Sequence, residues 1–124
     1  MTRPVSTDSG ELVQPSHPED LKIIALARAA LARSNAGEAA CVRDIDGRTY
    51  AGVRVKLPHL RLSAISVAVA MAVSSGAAGL EAAAVAGDNV PGPDDLAVIA
   101  DLGGAGVVVW SVDPAGSVRA RIES

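Results

Sequence analysis

The stretch that most constrains the fold is residues 62–75, whose sequence is LSAISVAVAMAVSS. It lies within a segment that has no charged residue from position 62 to position 80. At a rise of about 1.5 Å per residue the stretch is long enough for about four helical turns. Its apolar side chains point in every direction, so a helix here must pack against partners on several sides. Because serines and small alanines dilute the stretch, we predict a buried central helix and no membrane span.

The length of the chain, 124 residues, predicts one domain. A monomer of this size buries only about two-thirds of the surface of its unfolded chain. A helix that is apolar all round is covered more easily when a neighbouring subunit packs on it as well. We therefore expect a homo-oligomer, either a dimer or a tetramer, that assembles through the central helix at residues 62–75.

The composition indicates which classes of partner the chain is expected to bind and in which cellular compartment it is expected to lie. The chain carries 11 Lys and Arg against 14 Asp and Glu, and this net charge of −3 does not favour general nucleic-acid binding. A single cysteine, Cys41, excludes an internal disulfide and fits a reducing compartment. Residues 1–15 contain no apolar stretch of the kind found in signal peptides. The expectation is a cytoplasmic protein without a membrane partner.

The N-terminal residues are expected to lie outside the folded domain. Residues 1–16 carry Pro, Ser, Thr, Asp and Gly without periodicity, which predicts a disordered tail. Ser16 and Glu19 have the spacing of a capping box, with Pro18 tolerated in the first turn. A single domain is predicted to follow over residues 17–124.

The order of the elements predicts an α/β fold. An Asp46-Gly47 pair between two apolar runs indicates a hairpin, and the small apolar residues of 80–86 suit a buried strand between parallel neighbours. Helices are predicted at 20–33, 62–75 and 94–102, and strands at 39–44, 48–55, 80–86, 106–112 and 117–122. Helices that alternate with strands indicate a three-layer α/β/α fold around a mixed five-stranded sheet.

Three segments resemble the cytidine deaminase family of small dimeric or tetrameric zinc enzymes. Residues 46–53 (DGRTYAGV) look like the entry to its second strand. Residues 59–76 fit, without a gap, the stretch that carries its first zinc ligand and catalytic glutamate. Residues 91–96 (PGPDDL) fall where the family has Pro-Cys-x-x-Cys followed by a helix. The resemblance implies the cytidine deaminase-like fold over most of the chain.

The positions that the resemblance assigns to chemistry carry other residues here. Family members need three Cys or His ligands and a proton-shuttling glutamate for zinc-dependent deamination. This chain has Ser63, Gly92 and Asp95 at the ligand positions and Ile65 at the glutamate position. The expectation is therefore a pseudoenzyme without catalytic residues, zinc or other cofactor, acting as an oligomeric binding or scaffold protein. A zinc-dependent cytidine deaminase with rearranged ligands is the less favoured alternative.

A second alternative comes from a basic cluster, defined here as Arg54, Lys56, His59 and Arg61. These residues fall within eight positions of an acidic chain, just before the central helix. A phosphate or nucleotide held there, where the family binds its nucleoside, would make the protein an anion sensor. The competing interpretation is that these side chains are solvated or contact acidic residues of a neighbouring subunit.

Two further pairs of residues are less favoured as functional sites. His59 with Asp95 would form part of a substitute metal site, but a loop histidine and a helix-start carboxylate explain both residues without one. Ser63 with His59 would form a nucleophile and its base. Cys41 alternates within a predicted strand and is expected to be a small core residue.

Overall fold

The computed structural model describes residues 13–124. Within that range the chain forms three α-helices and seven β-strands. Their bounds are α1 Pro18–Ala32, β1 Glu38–Asp44, β2 Thr49–Val53, β3 Val55–Lys56, β4 Arg61–Leu62, α2 Ala64–Ser74, β5 Leu80–Gly87, α3 Pro93–Gly103, β6 Val108–Val112 and β7 Val118–Glu123. Of the tail predicted over 1–16, residues 1–12 lie outside the described part, and 13–16 have no regular structure.

The main sheet has five strands in the order β2-β1-β5-β6-β7. Among these five described strands only the central pair, β5 and β6, is parallel; β2 with β1, β1 with β5 and β6 with β7 are antiparallel. This confirms the mixed five-stranded sheet. The expectation that β5 has parallel neighbours on both sides is wrong, because a run of small apolar residues indicates burial on both faces and carries no information about the direction of the neighbours.

Helices cover both faces of this sheet. On one face α1 buries Ile23 and Ala27 against side chains that include Cys41 and Trp110. On the other face α2 and α3 pack on a larger cluster, which includes Ile65. The three layers are therefore α1, the sheet, and α2 with α3. Cys41 is fully buried in the α1 layer, as expected for a small core residue.

The helix α1 begins differently from its prediction. His17 is the N-cap, and its Nδ1 accepts a hydrogen bond of 3.1 Å from the backbone N–H of Glu19. The prediction of a capping box that begins at Ser16 is wrong, because the N-cap residue with extended backbone is His17, one position later. Pro18 occupies the first turn as expected, where its missing N–H costs no hydrogen bond.

A small hairpin separates β2 from α2, and it was not predicted. The strand expected to run to residue 55 ends at Val53, and β3 pairs with β4 in a separate two-stranded sheet. The N–H of Leu57 donates to the carbonyl of Leu60 at 2.8 Å and closes the turn. Because β4 includes Leu62, the central helix begins at Ala64 and not at residue 62.

The helix α2 is covered only in part within one subunit. Ala68 and Ala72 are fully buried, whereas Met71 and Val73 are 40% and 55% exposed. The sheet and α3 cover one side of the helix, so the expectation of burial on all sides is not met within a single chain. Assembly through this helix stays a prediction. None of the helices between residues 13 and 124 has the length and apolar content that a membrane crossing needs.

Candidate functional site

The N-termini of α2 and α3 meet at a direct contact between two of the predicted site residues. Ser63 is the N-cap of α2 and has an extended backbone, with φ −65° and ψ 159°. Gly92 is the N-cap of α3, which places Asp95 in the first turn of that helix. The Ser63 hydroxyl donates to the Asp95 carboxylate, with Oγ and Oδ1 2.6 Å apart. A short bond between a hydroxyl and a carboxylate is charge-assisted and links the two helices.

Side chains also accept hydrogen bonds from two of the first N–H groups of α2. The Ser63 hydroxyl oxygen accepts from the backbone N–H of Ser66 at 3.1 Å. The carboxylate of Glu38, at the start of β1, accepts from the backbone N–H of Ala64 through Oε1 at 2.9 Å. Two carboxylates, those of Glu38 and Asp95, therefore lie at helix N-termini, where the helix dipole stabilises negative charge.

The donor set at this contact does not fit a zinc centre. Catalytic zinc is held by three protein ligands, usually His, Cys or carboxylate. Gly92 offers no side chain, and the Ser63 hydroxyl already donates a hydrogen bond to the Asp95 carboxylate. Ile65 is fully buried in the apolar core and has no group that transfers protons. Between residues 13 and 124, no three His, Cys, Asp or Glu side chains form a cluster that could hold a metal ion.

A basic cavity lies beside the same contact. Its volume is about 460 Å³, and seven residues line it: Glu38, Arg54, Val55, Lys56, Arg61, Leu62 and Ser63. The cavity therefore brings together three members of the predicted basic cluster. Lys56 and Arg61 are cross-strand partners in the β3–β4 hairpin, and like charges directly opposite each other are unfavourable.

The cations of this cavity have few partners within the chain. None of the salt bridges in the described part of the chain involves Arg54, Lys56 or Arg61. Arg54 donates from Nη2 to the carbonyl of Ala36 at 2.7 Å, so part of its guanidinium is engaged in holding the loop before β1. Lys56 and Arg61 are exposed, and their charges face solvent.

His59 is separated from the rest of the basic cluster. It lies exposed in the turn between β3 and β4 and does not line the cavity. Among the hydrogen bonds of residues 13–124, none joins His59 to Ser63 or Asp95. The structure thus brings together Ser63 with Asp95, and Arg54 with Lys56 and Arg61, but neither of the combinations that used His59.

Sequence reasoning missed Glu38. Its partner, Ala64, lies 26 positions later, and the contact forms only when β1 and α2 pack together. No local spacing signals such a pair. The one available cue was that a single acidic residue directly precedes an apolar strand.

Comparisons with known proteins agree with this architecture. A family model described as cytidine deaminase-like matches residues 16–116. The chain is similar to cytidine deaminase from Burkholderia pseudomallei, with a TM-score of 0.72 at 24% identity over 85% of this chain and 91% of that one. It is also similar to cytidine deaminase from Mycobacterium leprae, with a TM-score of 0.67 at 21% identity over 84% of this chain and 93% of that one. For cytidine deaminase from Mycobacterium tuberculosis the TM-score is 0.66 at 21% identity, over 85% of this chain and 91% of that one. No curated protein sequence matches the chain significantly. These likenesses confirm the predicted fold.

Proposed function

This chain belongs to the cytidine deaminase-like family, and we propose that it is a non-catalytic member that acts as an oligomeric binding or scaffold protein. The proposal includes the loss of zinc and of any other cofactor. It also includes a cytoplasmic location, which the single buried cysteine favours.

One observation carries the proposal. Ser63 and Asp95 hydrogen-bond each other at 2.6 Å, in the place where the family resemblance puts two metal ligands. A hydroxyl that donates to a carboxylate needs no metal to satisfy either group. The third ligand position is Gly92, and the position of the proton-shuttling glutamate is Ile65, which is fully buried. These four residues offer neither a metal-activated water nor a proton relay.

The test is elemental analysis combined with an activity assay. The purified chain is expected to hold no stoichiometric zinc and to release no ammonia from cytidine. The cytidine deaminase of Mycobacterium tuberculosis, prepared and assayed in parallel, is the positive control. One zinc per chain with ammonia release would overturn the proposal in favour of a deaminase with rearranged ligands.

Assembly through α2 is the second part of the proposal. Met71 and Val73 are large apolar side chains exposed on a helix that has no charged residue. Burial of these side chains against a second copy removes apolar area from water. Val73→Asp is expected to shift sedimentation towards the monomer. Leu21→Asp is the matched control, since Leu21 is 48% exposed on α1 and is expected to leave the assembly unchanged. Identical sedimentation of both variants and the wild type would exclude α2 as the interface.

An anion-binding sensor is the second candidate function. The observation that favours it is the cavity in which Arg54, Lys56 and Arg61 lie without a salt bridge in the described part of the chain. Charge-assisted bonds to phosphate oxygens are the interaction that such a cluster makes best. Because the cations are exposed, the binding is expected to be weak and to fall with added salt.

Calorimetric titration with inorganic phosphate and with a nucleoside monophosphate tests this candidate at low ionic strength. The double variant Lys56→Glu/Arg61→Glu is expected to abolish binding. Lys22→Glu/Arg33→Glu makes the same change of charge at exposed positions of α1 and its C-cap, and is expected to retain it. Equal binding by the two double variants would show that the cavity is not the site.

A further inference from the structure

The basic cavity contains one carboxylate, that of Glu38. Its charge is negative, whereas the three other charged residues that line the cavity are cations. An entering anion is therefore attracted by the cations and repelled by Glu38. Glu38 is nevertheless not in a salt bridge with any of those cations in the described part of the chain. Its Oε1 is instead bound to the backbone N–H of Ala64 at 2.9 Å.

This contact occupies a donor that an external anion would otherwise use. Ala64 is fully buried, so its N–H has no access to water and depends on a protein or ligand acceptor. Glu38 reaches it from the first residue of β1, and the backbone carbonyl of the same residue accepts from the N–H of Arg54 at 3.0 Å. The carboxylate is thus held at the wall of the cavity by its own strand.

We propose that Glu38 is an internal competitor for anions, and that a phosphomonoester binds in the cavity by displacing its carboxylate from the N–H of Ala64. This inference rests on the anion-binding candidate function above. A phosphomonoester dianion has three terminal oxygens, enough to accept from Ala64 and to contact Lys56 and Arg61 together. A monocarboxylate offers the Ala64 N–H nothing beyond what Glu38 already supplies within the chain, at a much higher effective concentration.

The experiment compares wild type, Glu38→Gln and Glu38→Ala in titrations with inorganic phosphate and with acetate at low salt. In Glu38→Gln the amide oxygen still accepts from Ala64, so the fold is kept while the charge is lost. Removing one unit charge a few ångströms from a bound phosphate dianion at a protein surface raises affinity by at least about tenfold. We expect that increase for phosphate in both variants and no measurable acetate binding by the wild type. Glu123→Gln, which removes an equivalent charge outside the cavity, is the control and is expected to leave affinity unchanged.

A second readout uses the wild type alone. The amide resonance of Ala64, followed by nitrogen–proton correlation spectra, is expected to move on addition of phosphate as its acceptor changes. Phosphate binding with an unmoved Ala64 resonance, or with equal affinity in wild type and Glu38→Gln, would overturn the role of Glu38 and leave the anion site standing. Absence of phosphate binding in all four proteins would overturn the anion-binding function and this inference with it.

Discussion

Replacing Ser63 by alanine is the most direct perturbation of the contact that joins α2 and α3. The hydroxyl has two roles: it caps α2 by accepting from the N–H of Ser66, and it donates to Asp95 at 2.6 Å. Loss of an N-cap costs about 1 kcal/mol. Loss of a hydrogen bond to a charged group costs about 1.5–3 kcal/mol, and the lower end applies because both side chains are only partly buried. The sum is a loss of about 2–3 kcal/mol in the free energy of unfolding.

The assay is thermal and denaturant unfolding of wild type and variants. For a domain of this length each kcal/mol lowers Tm by about 4 °C, so Ser63→Ala is expected to lower Tm by about 8–12 °C. Asp95→Asn keeps an oxygen that accepts from Ser63 but loses the charge, and it is expected to cost about 1 kcal/mol. Ser74→Ala is the matched control on the same helix, because Ser74 is exposed and its hydroxyl, within the described part of the chain, bonds only the carbonyl of Met71 in the preceding turn. It should change stability by less than about 0.5 kcal/mol.

Two results would refute this account of the contact. If Ser63→Ala lowers Tm no more than Ser74→Ala does, the bond to Asp95 contributes nothing to the folded state. If a chelator lowers the Tm of the wild type by several degrees, a bound metal stabilises the native protein. We expect the chelator to leave Tm unchanged.

Two other predictions concern packing on either face of the sheet. Burial raises the pKa of the Cys41 thiol to about 11. The thiol reagent 5,5′-dithiobis(2-nitrobenzoate) should therefore not modify the native protein at pH 8, but should react at once in denaturant. Rapid reaction of the native protein would contradict the burial of Cys41. Gly52→Ala is expected to cost about 1–3 kcal/mol in denaturant unfolding, because its Cβ would lie 2.6 Å from Cγ1 of Val67. Gly92→Ala, with open space around its Cβ, is the control and is expected to cost less, because alanine only caps α3 more weakly than glycine does; equal stability of the two variants would place α2 farther from β2.

The elements that the sequence predicts well are those specified by local chemistry. The Asp46-Gly47 turn joins β1 and β2 with Gly47 at φ +84°, a conformation that glycine adopts without strain. The apolar run of residues 62–75 is long enough to indicate a helix whatever surrounds it. By contrast, β3 and β4 have two residues each, too few for any alternation of side chains, and Pro58 between them indicates only a break.

The site is less accessible to sequence reasoning because its contacts join distant parts of the chain. Ser63 and Asp95 are 32 positions apart, and Glu38 and Ala64 are 26 apart. The family resemblance singled out Ser63 and Asp95 as altered ligand positions, but it gave no reason to expect that they bond each other. Residue spacing also grouped His59 with the cations, whereas the turn of the hairpin carries it away from the cavity.

The backbone around Ser63 and Asp95 leads to the last prediction, which is that a metal site can be built from these positions. The side chains of these two residues already meet, and a Cβ at Gly92 would encounter no atom within 4 Å. Gly92 has φ −91°, so cysteine fits there without backbone strain. The triple variant Ser63→Cys/Gly92→Cys/Asp95→Cys supplies three thiolates, the number that an open zinc site requires. It is expected to bind one zinc per chain by elemental analysis, and Ser63→Cys/Asp95→Cys, lacking the third ligand, to lose zinc on dialysis. A folded triple variant without zinc would show that the N-termini of α2 and α3 do not have the arrangement of a metal site.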